Sequence, residues 1–381
     1  MIIDETHCGF NNTFKTNCSC QYCLTELRFA NNLTMDTFSD TDYESDDTLS
    51  RINKSKEPIL DEQEYSVFGG IRFKDIEEFA EKQEKSRWRE NEISFVDDYE
   101  DFRKLPKNTQ ELFKRTLSFL AVSDGLINKN LITRFLNEVT DPSARRFYLF
   151  QACMEDVHAR TYGLMLAAIV PDRAERQKLM EPHKHSLAIR AKINWIEKWI
   201  EGDYPFCQRI VAFAIAEGIF FQPSFVPFHW AKKNGLMPGL SKGNEFIARD
   251  EGMHCYHGLL INKNLITKCS EETIHEMMEE AVRIEQNYAR EEMLRNGGII
   301  EINVDALCRY VEYSADRWLS AIACAEKSEC SKIYGCENPF PWMEKISIPT
   351  YSEFFERSDS NYKDRFGNDP STSKFAIDCD F

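Results

Sequence analysis

The sequence is short of positive charge, since 47 Lys and Arg residues face 63 Asp and Glu residues and leave a formal net charge of −16. Nucleic acids and anionic membrane surfaces are polyanions, so this balance argues against both as partners. We find no apolar run long enough to predict a membrane-spanning segment. The first residues, MIIDETHCGF, also lack the basic and apolar regions of a secretory signal. We therefore expect a soluble, cytoplasmic protein.

Two further absences narrow the class of protein. The sequence contains neither a P-loop nor a G-x-G-x-x-G motif, so no nucleotide site is predicted. It shows no repeat of fixed period and very little of the period-two alternation that is typical of strands. From Glu57 onward the apolar residues recur with the 3.6-residue period of helices. This pattern predicts an all-α fold.

The 13 cysteines do not indicate a disulfide framework, because their number is odd and they are scattered through predicted helices. Cys18, Cys20 and Cys23 cluster near Cys8, which allows a zinc site as one interpretation. A cleaner pair of C-x-x-C motifs would be typical of such a site, so we favour a disordered segment that carries cysteines.

Composition divides the chain into three parts. Residues 1–58 are polar and include the acidic run SDTDYESDD, a composition that predicts a largely disordered extension. Residues 59–348 have the helical periodicity and form the predicted folded domain. Residues 349–381 turn polar again, finish as KFAIDCDF and form the predicted flexible tail.

Capping residues predict the limits of two central helices. One begins near Asn108 and runs through TQELFKRTLSFLAVSDGLINKNLITRFLNEV. Asp141 is a suitable N-cap with Pro142 at the first helical position, and the helix that follows ends before Pro171.

Four more helical segments follow. RIVAFAIAEGIFF is apolar until Pro223 and Pro227, which we expect to bend or break the helix. GLMPGLSKG predicts a turn-rich connection, after which NEFIARDEGMHCYHGLLINKNLI is helical again. Two amphipathic helices cover roughly residues 270–294 and 303–325.

Four acids and two histidines interrupt the apolar faces of four of these helices. They are Asp124, Glu155, His158, Glu217, Glu251 and His254. Within this set two Glu-x-x-His pairs recur, and that spacing places both side chains on one face of a helix. Charged side chains at such positions are the informative exceptions in an apolar helix.

A third Glu-x-x-His pair, Glu272 with His275, lies in the polar segment KCSEETIHEMMEE. Those surroundings are typical of a solvated helix start, for which Ser270 is a suitable N-cap. We interpret this pair as a surface feature. His229 and His257 have no carboxylate partner at helical spacing.

The four carboxylates in the apolar helices, Asp124, Glu155, Glu217 and Glu251, would be costly to bury. A single buried acid is often satisfied by an Arg or a cap, but each uncompensated one costs several kcal/mol. Four together would exceed the roughly 5–15 kcal/mol net stability of a typical domain. No matching set of Lys or Arg interrupts the same faces. Two divalent ions would balance the charge, and this ligand set is that of a dinuclear site in a four-helix bundle.

Mixed oxygen and imidazole ligands favour iron or manganese over zinc or magnesium, without choosing between the first two. Open positions on two redox-active ions indicate chemistry with O2. Tyr162 lies one turn beyond His158 and would approach the metals. Periodicity alone favours a core aromatic with a satisfied hydroxyl for Tyr162.

Six segments share a resemblance to one known family. They are SDGLINKNL, FQACMEDVHARTY, VAFAIAEGIFF, GLMPGLSKGNEFIARDEGMHC, AVRIEQ and FAIDCDF. Together they resemble the small (beta) subunit of class I ribonucleotide reductase in its eukaryotic and eukaryotic-virus form. The resemblance runs from about Glu57 to Phe381, includes all six candidate ligands in order and implies a ferritin-like helical bundle.

The resemblance implies a diiron centre, oxo-bridged when oxidised, with manganese as an alternative metal. The ligands of one iron would be Asp124, Glu155 and His158, and those of the other Glu217, Glu251 and His254. Tyr162 would be oxidised to a stable radical when the site reacts with O2. Phe221, Phe225 and Ile247 match the apolar residues packed about that radical.

The resemblance also implies partners. Asp250 matches an acid that hydrogen-bonds a ligand histidine and a tryptophan, and Trp88, in KSRWREN, matches that tryptophan. Trp88 and Tyr362 match the two ends of the electron and proton relay between subunits. FAIDCDF would dock on a separate large subunit that reduces ribonucleoside diphosphates, with Phe375 and Phe381 as apolar anchors. The family also forms homodimers.

Two other functions occur on this fold. A diiron monooxygenase or desaturase would need a substrate pocket and no stable radical, and a non-catalytic ferritin-like protein would form cages and need no docking tail. Tyr162 and FAIDCDF favour the reductase over both. Pro223 and Pro227 depart from the small residues expected after Glu217, so the helix geometry there is left open.

Overall fold

Helices dominate the structure, a computed structural model that describes residues 57–61, 70–326 and 332–345. We number its main helices in chain order as α1 (Lys74–Lys85), α2 (Asp98–Phe102), α3 (Lys107–Asn130), α4 (Pro142–Ile169), α5 (Arg173–Leu179), α6 (Leu187–Glu201), α7 (Phe206–Ile215), α8 (Gln222–Lys233), α9 (Pro238–Asn264), α10 (Glu271–Tyr288) and α11 (Val304–Glu326). No strand forms within these ranges, so the predicted all-α class is confirmed.

Three helices continue directly into π-helical turns. The turn after α3 is Leu131–Phe135, the turn after α7 is Ala216–Phe220, and the turn after α10 is Ala289–Met293. A π turn is a local distortion of the helical hydrogen-bond ladder that is often found at functional sites. The second of these turns carries Glu217.

The predicted start of the first central helix and both limits of the second are confirmed, but the first helix ends at Asn130 and passes into a π turn instead of running regularly through LITRFLNEV. α3 begins at Lys107, one residue before the expected start. Asp141 caps α4, because its carboxylate accepts hydrogen bonds from the backbone N–H groups of Ser143 and Ala144 at 3.1 and 3.0 Å. Pro142 occupies the first position of α4, and the helix ends at Ile169.

A helix break is present near the two prolines, but its position differs from the prediction. The regular helix already ends at the π turn and Phe221, before Pro223. Pro223 lies in the first turn of α8, where no N–H is needed for the helical ladder, and Pro227 lies inside α8. The distortion therefore begins at the π turn that carries Glu217.

The prediction of a turn-rich connection over GLMPGLSKG was wrong for its second half. α9 begins at Pro238 and includes GLSKG. Asp98 stabilises this early start, since its carboxylate accepts hydrogen bonds from the N–H groups of Gly239 and Leu240 at 2.8 and 2.9 Å. Met237 precedes the helix in a left-handed conformation, with φ of 47°.

α9 packs closely against α4 on one side and α7 on the other. At Gly243 an added Cβ would collide with the side chain of Met165 on α4. At Gly258 it would lie 3.0 Å from the Cβ of Ala214 on α7. The absence of side chains at these two positions permits the close approach. The ligand candidates of α9 are thereby brought close to those of α4 and of the π turn after α7.

The stretch Phe206–Lys233, which spans α7, the π turn and α8, is long and apolar enough to cross a membrane, with a mean hydropathy of 1.5. The prediction that no such run exists was therefore wrong. Its apolar window is 100% buried inside the protein, as in the core helix of a bundle. Residues 1–56 and 346–381, which include most of the predicted extension and the tail, lie outside the described residues.

Candidate metal centre

All six predicted ligands meet in the core, each at most 1% exposed. α3 supplies Asp124, α4 supplies Glu155 and His158, the π turn after α7 supplies Glu217, and α9 supplies Glu251 and His254. Their donor atoms form two overlapping groups, each with all of its atoms within 4.8 Å of one another. One group is Asp124, Glu155 and His158, and the other is Glu155, Glu217, Glu251 and His254.

The two imidazoles present the same ring atom to the same two carboxylates. Nδ1 of His158 lies 3.3 Å from Oε2 of Glu155 and 3.1 Å from Oε1 of Glu251. Nδ1 of His254 lies 3.0 Å from Oε1 of Glu155 and 3.4 Å from Oε2 of Glu251. Glu155 and Glu251 therefore lie between the histidines, with one oxygen facing each, as bridging ligands would.

Buried oxygen atoms in the cluster have free lone pairs. Both carboxylate oxygens of Asp124 and Oε2 of Glu217 have no hydrogen-bond partner among the described residues. Among the described residues, Glu155 and Glu251 form ion pairs only with histidines. Buried anionic oxygens without a cation or a donor are strongly unfavourable. Oxygen and imidazole donors that converge in this way fit a pair of divalent metal ions.

The pKa shifts agree with a shortage of positive charge. Burial raises the pKa of Asp124 and Glu217 well above the usual carboxyl range, and neighbouring carboxylates raise it further. For Glu251 burial acts in the same direction, but hydrogen bonds with His158 and His254 hold its pKa below the usual value. Burial lowers the pKa of His254, and the adjacent carboxylates outweigh it and raise that pKa to about 9. The cluster therefore attracts protons or metal ions.

One member of the site was missed from the sequence. Gln151, fully buried on α4, donates from Nε2 to Oε1 of Glu155 at 3.2 Å and to Oε1 of Glu217 at 3.1 Å. It thereby connects carboxylates from two helices. The available signal was a polar side chain one helical turn before Glu155, inside the apolar segment FYLFQA.

Asp250 and Trp88 lie behind the first group of ligands. Oδ2 of Asp250 accepts a hydrogen bond from Nε1 of Trp88 at 2.7 Å and lies 3.1 Å from Nε2 of His158. The Trp88 and His158 rings stack with centroids 6.0 Å apart. Arg249 donates two hydrogen bonds to Oδ1 of Asp250. A carboxylate on the outer nitrogen of a ligand histidine fixes the orientation of its ring.

Tyr162 is fully buried on α4, and its hydroxyl has no hydrogen-bond partner among the described residues. Burial raises the pKa of the phenol well above its usual value, and the charge of Asp124 adds to the effect. Phe221, Phe225 and Ile247 are buried as well, each at most 1% exposed. Among the described residues the Tyr162 hydroxyl thus lacks the partner that a core aromatic with a satisfied hydroxyl would have.

Other predicted residues lie away from the cluster or outside the described residues. Glu272 is exposed on α10, and Nε2 of His275 lies 3.7 Å from Oε1 of Glu271, so this third pair joins neither ligand group. His229 and His257 are buried but belong to neither group. The other predicted features, Tyr362, FAIDCDF and the N-terminal cysteines, lie outside the described residues.

The fold and the cluster define a ferritin-like helical protein with a buried carboxylate–histidine cluster that is a candidate metal-binding site. Comparisons with known proteins then give the family. The model of the ribonucleotide reductase small chain matches residues 66–339, and the chain belongs to this family.

Three similar proteins illustrate the relationship. The ribonucleoside-diphosphate reductase small chain of Spisula solidissima is 37% identical over 331 residues, which cover 85% of this chain and 84% of that protein. The corresponding protein of Yaba-like disease virus is 38% identical over 334 residues, covering 87% and 100%. The solved structure of the Rnr4 homodimer from Saccharomyces cerevisiae matches with a TM-score of 0.69 at 29% identity, covering 84% and 97%.

Membership decides between the functions that share this fold. The relatives support the reductase and not the oxygenase, desaturase or ferritin-like alternatives. The chain is thus the small-subunit component of an enzyme that reduces ribonucleoside diphosphates. The resemblance inferred from the sequence is confirmed.

Proposed function

We propose that the cluster holds two iron ions and that this centre generates a stable radical on Tyr162. The observation that carries the proposal is the shared orientation of the two histidines. Each turns Nδ1 toward both Glu155 and Glu251. Glu155 belongs to both donor groups. Manganese ions would fit the same donor atoms.

Bound in the ferrous state, two iron ions would supply electrons to O2 and the oxidising power to remove an electron from a tyrosine. The protein's own task is to control Tyr162. Its phenol keeps its proton because burial raises the pKa well above the usual value. Asp124 has two unpartnered oxygens and acts electrostatically on the phenol, so we assign it as the group that receives the phenolic proton.

The surroundings of Tyr162 would preserve the radical. Phe221, Phe225 and Ile247 are buried side chains without polar atoms. We assign them to an apolar sleeve that keeps water and reductants away from the oxidised ring. The free phenol oxygen supports this assignment, because no protein donor among the described residues holds it.

Trp88, Asp250 and His158 form the inner end of the proposed electron relay. A single oxygen of Asp250 contacts both the indole N–H and the outer imidazole nitrogen. This shared atom connects a buried tryptophan to the metal ligand. We assign Tyr362 to the outer end of the relay, between the subunits.

We further propose that residues 349–381 form a tail whose final segment FAIDCDF docks on the large subunit, which carries the nucleotide chemistry. Residues 59–348 would form the folded domain, preceded by the polar extension 1–58. The Rnr4 protein of yeast is described as a homodimer, and we propose the same state for this chain. The proposed compartment is the cytoplasm, with neither nucleic acid nor membrane as a partner.

The radical is tested by EPR after the apo-protein is loaded anaerobically with ferrous iron and then exposed to O2. We expect a long-lived tyrosyl signal in the wild type and none in Tyr162→Phe. Tyr148→Phe is the matched control, because Tyr148 is also fully buried on α4 with an unpartnered hydroxyl. A signal that persists in Tyr162→Phe would contradict the assignment.

A further inference from the structure

The π turn Ala216–Phe220 is held from outside by two side-chain donors. Nε1 of Trp318 on α11 donates to the carbonyl oxygen of Gly218 at 3.1 Å. Nζ of Lys192 on α6 donates to the carbonyl oxygen of Phe220 at 2.8 Å. A π turn disturbs the regular backbone ladder, so carbonyl groups there need other partners. Glu217 lies in this same turn, one residue before Gly218.

Lys192 lies in a buried socket formed by Phe119, Glu285 and Tyr288. Its side chain is 0% exposed, and Nζ lies 2.7 Å from Oε2 of Glu285, which is also 0% exposed. Nζ further lies 3.4 Å from the ring centroid of Phe119 and 4.0 Å from that of Tyr288. Aromatic faces stabilise a desolvated ammonium group. The socket combines residues of α3, α6 and α10 around one carbonyl of the π turn.

This ion pair is not needed to balance the metal ligands, since neither member belongs to the donor groups. Burial lowers the pKa of Lys192 to about 8 and raises that of Glu285 to about 7. Charge burial is thus costly here, and a buried pair is often replaceable by apolar residues without loss of stability. Stability alone therefore gives no reason for a charged pair at this position. The hydrogen bond to Phe220 gives a geometric one.

The contact with Trp318 shows how tightly the same turn is constrained. A Cβ added at Gly218 would lie 2.5 Å from the indole nitrogen. The backbone after Glu217 therefore lies directly against the indole. With Lys192 at the end of the turn, two of its carbonyl oxygens have fixed positions in space. Glu217 lies between α7 and these two held carbonyl groups along the chain.

We propose that Lys192, oriented by Glu285, is a positioning residue for Glu217: it holds the π turn in the geometry that aims this carboxylate at the second donor group. Gln151 donates to Oε1 of the same carboxylate at 3.1 Å. The inference rests on the proposed dinuclear centre. It assigns a role to the AVRIEQ segment, whose Glu285 takes no part in the chemistry proposed above.

The test uses the full-length protein and Mn²⁺ alone as the probe, with free Mn²⁺ measured by EPR. The main variant replaces the whole pair, Lys192→Met with Glu285→Leu, so that no lone charge remains buried. Lys192→Arg is the conservative variant that keeps a charge and a donor. Trp318→Phe removes the other donor to the same turn.

Arg115→Met provides the matched control. Arg115 is 7% exposed and donates to the carbonyl oxygen of Glu292 at 3.3 Å, in the π turn Ala289–Met293. That turn carries no candidate ligand. Arg115 is thus a largely buried cation on a π-turn carbonyl, and its loss should affect stability without affecting metal affinity.

We expect the wild type to bind two Mn²⁺ ions and the double variant to bind one of them about 10–100-fold more weakly, the usual effect of losing a group that orients a ligand. Lys192→Arg should recover much of that affinity. Trp318→Phe should weaken binding of the same ion, and Arg115→Met should bind both ions as the wild type does.

Wild-type affinity for both ions in the double variant, or equal weakening in Arg115→Met, would overturn the inference. If the double variant does not fold, unchanged binding by Trp318→Phe would overturn it instead. A wild type that binds no Mn²⁺ would contradict the metal centre itself.

Discussion

The same Glu-x-x-His motif occurs in very different places in this protein. Glu155 and His158 are fully buried on α4, where each faces another Glu-x-x-His pair across the core. Glu272 and His275 occupy the start of α10, where the glutamate is exposed and the histidine is partly exposed beside Glu271. Spacing places an acid and an imidazole on one helix face in both cases, but only the pair that is buried against a second pair belongs to the candidate metal site.

The difference has a physical cause. At the surface, water solvates a carboxylate, and a nearby charge contributes little. In the core, each carboxylate needs a donor or a cation, and two oxygens of Asp124 have neither among the described residues. The buried pairs therefore depend on a ligand that the exposed pair does not need.

The largest effect is expected from removing a central carboxylate. Glu251→Ala should abolish binding of at least one of two Mn²⁺ ions, because Glu251 contacts both histidines. Glu272→Ala, which removes the acid of the exposed pair, should leave both ions bound. Equilibrium dialysis with metal analysis measures the stoichiometry. Equal loss in the two variants would show that burial does not distinguish the pairs.

The next largest effect is expected in the pH dependence of apo-protein stability and of metal affinity. Burial raises the pKa of Asp124 and Glu217 in the folded protein, so without metal the folded chain binds more protons than the unfolded chain. Their stabilising contribution in the apo-protein is present below the unfolded pKa of about 4 and is lost as pH rises through the raised values. Metal must displace these protons, so its affinity should increase by about tenfold per pH unit for each proton released.

Calorimetric titration of Mn²⁺ in two buffers of different ionisation enthalpy counts the protons released. His275→Ala is the control, since the exposed pair should not contribute. A metal affinity that is independent of pH, with no proton release, would contradict the account of the buried cluster.

A smaller effect is expected from the residue behind His158. Asp250→Asn removes the charge from the oxygen that lies 3.1 Å from Nε2 of His158. The change should weaken metal binding by about 10–100-fold without abolishing it, because the ring loses its orienting partner. Glu245→Gln is a control on the same helix that lies outside the donor groups. Unchanged affinity in Asp250→Asn would show that His158 needs no such support.

The sequence was sufficient to predict the members of the buried cluster, because charged residues inside apolar helices are rare and their spacing is regular. All six candidates meet in the core, and Asp141 caps α4 as expected. Asp250 and Trp88 came from the family resemblance, and their contact is confirmed by geometry.

What the sequence did not reveal depends on contacts between distant segments. The π turn at Glu217 replaces the proline break that local propensity predicts, and its carbonyls are bound by side chains from α6 and α11. α9 begins early because Asp98, far away in the chain, caps it. Gln151 looked like an ordinary polar residue until its two carboxylate partners came together.

The central claim is that these six side chains hold two metal ions. Its most direct test is an anomalous-difference map, measured at the iron absorption edge, from crystals of the iron-loaded protein. We predict two peaks, one beside Asp124, Glu155 and His158 and the other beside Glu217, Glu251 and His254. A map without peaks inside the cluster, from protein shown to be folded and exposed to iron, would contradict the account.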